Sequence, residues 1–229
     1  MRFTHKLFES TELERVEVDG QRFYRVPSGG LYQSVTTALG AINAKAIQQW
    51  RNRVGAEEAQ RIATRASTRG TYVHAICENY LGNVEQYLKR DGGKKAFMPV
   101  HVEMFNQIKP HLDNYVDEVY GIETRMYSDE LKLAGTCDCI CRMHGVPAIV
   151  DFKTATKPKE KDKITNYFLQ AAAYSIMVKE RYNKLISNIG IIIATEHDGL
   201  QTFWEPVRPY EEMMREFMAT GKLPGPKKY

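Results

Sequence analysis

The chain has no apolar run long enough to cross a bilayer, and its first residues, Met1-Arg2-Phe3-Thr4-His5-Lys6, lack the apolar stretch of a secretory signal. A membrane span and an exported scaffold are therefore set aside. A soluble protein of the cytoplasm, in a bacterial or phage-infected cell, is expected, with an organelle as the alternative. Cysteine is scarce, four in 229 residues, too few to staple a fold. Cys137, Cys139 and Cys141 alternate along one strand-like run, so they are expected to share the face opposite Asp138 as buried free thiols of a reducing compartment. Neither sign of charge dominates: 32 Lys and Arg stand against 28 Asp and Glu, a net of +4. That balance accommodates a polyanionic partner without requiring one. Repeats and low-complexity tracts are absent.

What is present is a patterned chain long enough to bury a substantial core as one domain. Arg15 to Val26 alternates apolar and polar residues about Asp19-Gly20, a hairpin signal, and Pro27 to Gly30 reads as a turn. Ser34 reads as a helix N-cap. From Val35 to about Leu81 the period is helical, with breaks expected near Gly40 and Gly70. Another helix is expected from Val100 to Val119, bent at Pro110, after a loop over Asp91 to Lys95. Strands are expected at Ile122 to Tyr127, Leu131 to Arg142 and Ala148 to Thr154. A helix from about Asn166 to Tyr182, strands at Ile189 to Thr195 and Thr202 to Glu205, a helix from Tyr210 to near Gly221 and a mobile tail from Leu223 complete the reading. This order predicts an α/β (α+β) fold, a mixed central sheet flanked by helices. An N-terminal hairpin and helical part over residues 1–120 packs with a core over residues 121–229 as one unit.

The densest chemistry lies in Asp138 and in Asp151-Phe152-Lys153. Side chains alternate along a strand, so Asp151 and Lys153 project together while Phe152 turns into the core and offers its carbonyl near the same point. A hairpin through Met143 to Pro147 returns the chain and sets Asp138 beside Asp151. Two carboxylates facing one gap suit a hard cation with oxygen ligands. Farther off, His74 and Glu78 share one helix face, as do Gln170 and Tyr174, where Ala171-Ala172-Ala173 lets the helix approach the sheet closely.

The ordered set His74, Gly135-x-x-Asp138, Asp151-x-Lys153 and Gln170-x-x-x-Tyr174 resembles the RecB-type branch of the PD-(D/E)xK nucleases. Within it, Ser34-Val35-Thr36 before a Trp50-bearing helix, Arg69 to His74, and Asp151-Phe152-Lys153-Thr154 running into Lys157-Pro158-Lys159 are most similar to the mitochondrial genome maintenance exonucleases and their phage relatives. The resemblance spans roughly Gly30 to Tyr182 and admits Asp at position 151, where the branch also uses Glu.

It implies a DNA exonuclease dependent on Mg2+ or Mn2+, acting on free and preferentially single-stranded ends in DNA processing, replication or recombination. The alternatives are a double-strand recombination exonuclease and an inactive nucleic-acid-binding module. Asp138, Asp151, His74 and the Phe152 backbone carbonyl are implied metal ligands, with Glu123 a further acidic neighbour. Lys153 is the polarising catalytic group alongside Asp138 and Asp151; whether cation or carboxylates govern its pKa is open at this stage. Gln170 and Tyr174 are implied to orient the site and touch DNA. Lys157 and Lys159, at the exit of the catalytic strand, suit a phosphate clamp. Trp50 and Tyr72 are aromatics available for base stacking, although core packing is expected of Trp50. Iron-sulphur nucleases of this branch need cysteines that this chain lacks after Cys141, so no cluster is expected.

Overall fold

The structure is a computed structural model and describes residues 2–223; of the expected tail, everything beyond Leu223 lies outside the described residues. A short strand β1 (Thr4–His5) precedes the hairpin β2 (Glu14–Val18) and β3 (Gln21–Arg25). Its turn is Asp19-Gly20, both at positive φ, the backbone a two-residue hairpin demands. Strand β4 (Leu31–Ser34) runs directly into helix α1 (Val35–Val54). Ser34 caps that helix by accepting the Thr37 N–H at 3.1 Å, a contact worth about 1 kcal/mol. Helix α2 (Ala56–Leu81) follows, then a small hairpin β5 (Lys89–Arg90) and β6 (Lys95–Ala96), and helix α3 (Pro99–Tyr115). The C-terminal half contains β7 (Val116–Ser128), β8 (Leu133–Met143) and β9 (Val146–Ala155), a short 3-10 turn at Lys161–Ile164, helix α4 (Thr165–Tyr182), strands β10 (Asn188–Thr195) and β11 (Leu200–Pro206), and helix α5 (Arg208–Thr220).

The main sheet is mixed. Its strands run in the order β11-β10-β9-β8-β4-β3-β2, and β7, carrying β1, lies along the other edge of β8. Strand β10 is parallel to β9, as a helical crossover through α4 requires, whereas β8 and β9 form an antiparallel hairpin. One face is covered by α1, α4 and α5 around Ile140, Ile149, Ile189, Ile191 and Ile193. The other is covered by α2 and α3 around Cys139, Val150, Phe152 and Ile192. Strand β8 is where the sheet forks: β4 pairs with it at Leu133 and Ala134, and β9 only from Cys139 onward. The stretch Gly135–Asp138 therefore faces a gap between two diverging strands.

Several expectations change. The helical break falls at Gly55, φ +89, while Gly40 and Gly70 lie inside helices. An interior glycine costs a helix only about 1 kcal/mol, whereas positive φ ends it. Helix α3 continues through Pro110 but stops at Tyr115, because Val116 already pairs with Met143. The Asp91 to Lys95 loop is the turn of the β5–β6 hairpin. The three alternating cysteines do not share one face: Cys137 packs on the α4 side, Cys139 and Cys141 on the α2 side. The alternation slips at Asp138, where β8 leaves its ladder with β9. All four thiols are buried and free.

Candidate active site

The fork in the sheet assembles the site. Ile122 stands opposite Cys139 and Thr124 opposite Cys137, so Glu123 of β7 stands opposite Asp138. On the other side Cys139 faces Val150, so Asp138 stands opposite Asp151. Three carboxylates thus occupy one row across three adjacent strands. Glu123 has φ +45, a backbone state that costs a non-glycine residue about 1–3 kcal/mol and is held by the surrounding ladder. Where the β8–β9 ladder opens, the Asp138 carboxylate accepts the Phe152 N–H at 2.9 Å. A side chain thereby replaces the missing ladder and ties β8 and β9 together.

Helix α2 supplies the fourth group. His74 Nδ1 lies 3.4 Å from Asp138 Oδ2, and its ring meets Phe152 edge-on at 6.4 Å. The helix is fixed by Arg69, which is 6% exposed and reaches Thr154 and Thr156 at 3.2 Å each, and also Glu196 beyond β10. One ligand atom each from His74, Glu123 and Asp138 lie within 4.8 Å of one another. That donor set, one imidazole nitrogen and two carboxylates, fits a divalent cation.

Asp151 and Lys153 sit beside this group, as the alternation of β9 requires. Asp151 is 2% exposed, forms an ion pair with Lys153, and accepts the Gln170 amide at 3.0 Å. The Lys153 ammonium lies 5.1 Å from the centre of the Tyr167 ring. Burial pushes the Lys153 ammonium down, but Asp151 and Asp138 outweigh it and hold the group above the ordinary lysine range. This direction is that of the metal-free site, where the carboxylates act on Lys153 with no cation opposing them. Burial raises Asp151, Lys153 opposes that, and Asp138 adds to it, for a net upward shift. Glu123 is pushed up to about 8 by burial and by Asp138, Glu78 and Asp151. The site is therefore short of positive charge, a deficit that a bound cation relieves.

These groups open into a cleft of about 320 Å³ lined by Arg22, Ser34, Thr36, His74, Asp138 and Lys153, among others. Tyr174 closes its floor: it is 2% exposed, and a Cβ placed on Gly135 would stand 2.8 Å from its hydroxyl. The glycine of Gly135-x-x-Asp138 is thus the space a tyrosine ring occupies. Lys157 and Lys159 are exposed on the loop beyond β9 and do not line this cleft; Lys159 is held by backbone bonds to the Gln201 side chain. Tyr72 is engaged by Arg90, Phe97 and His101. Two contributors escaped sequence reasoning. Tyr167 precedes Gln170 by three and Tyr174 by seven, a helix-face spacing that points to it. Arg22, on the β2–β3 hairpin, has no local signal and reaches the cleft only because β4 joins that hairpin to β8.

A profile of the PD-(D/E)XK nuclease superfamily matches residues 21–217. The mouse (Mus musculus) mitochondrial genome maintenance exonuclease 1 is 22% identical over 182 residues, covering 76% of this chain and 50% of the mouse protein. The chain thus spans about half the length of that curated relative. The crystal structure of a candidate exonuclease from Eubacterium rectale superposes with a TM-score of 0.45 at 16% identity, over 66% of this chain and 63% of that one.

Proposed function

Because the chain belongs to the PD-(D/E)XK nuclease superfamily, we propose that it is a DNA exonuclease that uses Mg2+ or Mn2+ to hydrolyse phosphodiester bonds from free, single-stranded ends. The observation that supports this most directly is the convergence of His74, Glu123 and Asp138 within 4.8 Å beside the Asp151–Lys153 pair. We assign the metal to His74, Glu123 and Asp138, with Asp151 and the Phe152 carbonyl completing its surroundings. When bound, the ion supplies charge for the phosphoryl oxygens and lowers the pKa of water.

The chain's own groups do the rest. Lys153, paired with Asp151, faces the reacting phosphate and stabilises charge that grows there in the transition state. Gln170 fixes one oxygen of Asp151, so the carboxylate presents a constant orientation to Lys153. Arg22, which has no ion-pair or hydrogen-bond partner among the described residues, meets a backbone phosphate of the incoming strand without reading its sequence. Lys157 and Lys159 extend the phosphate contacts along the exit of β9. The product pathway is DNA processing in replication or recombination, in a bacterial or phage-infected cytoplasm.

The test is digestion of DNA labelled at either end, supplied as linear single strands, linear duplex and closed circles, with Mg2+ or with chelator. Chelator-sensitive shortening of linear single strands that spares circles is the expected result. Cleavage of circles would replace the exonuclease by an endonuclease, preference for duplex would favour a recombination exonuclease, and binding without cleavage would reduce the protein to a nucleic-acid-binding module.

A further inference from the structure

Helix α1 carries Trp50 at its outer end, and the expectation that this side chain belongs to the core is not met. Trp50 is half-buried and lines a second cleft, about 360 Å³, with Asn43, Ile47, Lys159, Lys163 and Tyr167. Ile47 is 47% exposed, so the cleft presents a half-buried indole and an aliphatic side chain under a rim of two lysines, of which Lys163 also pairs with the exposed Glu160 at 2.7 Å. Tyr167 links this cleft to Lys153, which lines the first. It lines this one and its ring also lies 5.1 Å from the Lys153 ammonium. One aromatic ring therefore stands between the second cleft and Lys153.

We propose that this cleft is a base-stacking subsite of the reading above, in which an unpaired base of the DNA strand, beyond the scissile phosphate, lies against Trp50 while its phosphates meet Lys159 and Lys163. The occupant follows from charge and shape together. A rim of lysines selects a polyanion, and a half-buried indole flanked by a tyrosine selects a flat π surface attached to it; a nucleotide of a single strand supplies both. Bases of an intact duplex are stacked on each other and cannot enter, so the subsite gives a physical basis for single-strand preference. It also gives Lys159, which does not line the catalytic cleft, a place in substrate binding.

The experiment measures Kd for oligothymidylate in chelator, where nothing is cleaved, by the fluorescence anisotropy of an end-labelled oligonucleotide, with quenching of tryptophan fluorescence in the parent as a second readout. The chain has two tryptophans, and Trp204 packs against His144 away from this cleft, so it serves as the internal reference. Quenching that disappears in Trp50→Ala is expected, with Kd weakened about five- to hundredfold and largely restored in Trp50→Phe. An oligonucleotide with abasic positions is expected to bind the parent protein more weakly by a similar factor and Trp50→Ala no differently from intact DNA. Trp50→Ala binding as tightly as the parent, or abasic DNA losing no affinity for the parent, would overturn the subsite. Digestion of end-labelled DNA by the parent protein, run alongside with Mg2+, separates the two readings: cleavage with unaltered Trp50→Ala binding removes the subsite alone, while neither binding nor cleavage removes the nuclease reading with it.

Discussion

At the scale of single residues the site is organised by crowding, of charge in one place and of atoms in another. Glu123, Asp138 and Asp151 form one row, opposed by Lys153, His74 and, at Glu123, Arg125. Neutralising one carboxylate should therefore stabilise the metal-free protein. Glu123→Gln is expected to raise the melting temperature in chelator by about 2–4 °C, for roughly 1 kcal/mol gained in a domain of this size. It should also abolish most of the stabilisation that Mn2+ or Mg2+ gives the parent; both are read by thermal denaturation with and without metal. Gly135 is constrained by space: its added Cβ would meet Tyr174 Oη at 2.8 Å and Cε1 at 3.1 Å. Gly135→Ala should cost about 1–3 kcal/mol in urea denaturation, and Tyr174→Phe in the same chain should recover part of that loss by removing the nearer atom. Arg22→Gln should weaken DNA binding to every sequence alike and lower the slope of log K against log salt by about one.

At the scale of elements, the geometry of the candidate site depends on how α2 is seated against the end of β9. Arg69 does this from within the helix, five residues before His74, bonding Thr154 and Thr156 on one side and the 6%-exposed Glu196 carboxylate on the other. Arg65 also reaches Glu196, at 3.1 Å, but is largely exposed. Arg69→Met should cost about 3 kcal/mol, because a buried carboxylate loses its main partner. Adding Glu196→Gln should return much of the stability but not the nuclease rate, since the bonds to the β9 end stay missing. Urea midpoints and single-turnover digestion separate the two effects. If the double variant recovered both, Arg69 would matter for charge burial and not for seating the helix.

At the scale of the whole molecule, acid stability should report on the contact between α2 and α3. Asp113 accepts from Tyr80 at 2.5 Å and from Lys109 at 2.7 Å. Burial pushes its carboxyl up, but these two hydrogen bonds outweigh burial and leave it below its ordinary 3.8. A depressed carboxyl contributes stability that is complete above its unfolded pKa and vanishes as pH falls through its folded pKa. The parent should thus be more stable than Asp113→Asn at pH 7, with the difference shrinking as pH falls below about 4. Urea unfolding of both proteins across that range checks it; a difference that persists unchanged at pH 2 would assign the contact to packing. Lys109 is raised by the same bonds, so its share is lost only at strongly alkaline pH.

Local pattern alone identified the hairpin at Asp19-Gly20, the Ser34 cap, the strands around Asp138 and Asp151 and the helix carrying Gln170, because each is dictated by short-range rules: turn backbone, capping and alternation. The Asp-x-Lys spacing likewise placed Asp151 and Lys153 on one face, since the period of a strand leaves no other arrangement. Only the tertiary structure decided what lies opposite what. The row Glu123, Asp138 and Asp151 depends on strand register and on the fork at β8, which no single strand encodes. So do the arrival of Arg22 from a distant hairpin and the half-buried position of Trp50, for which core packing was expected. The cysteines make the same point in reverse: alternation predicted one shared face, and the interruption of the ladder at Asp138, which builds the site, is what divided them.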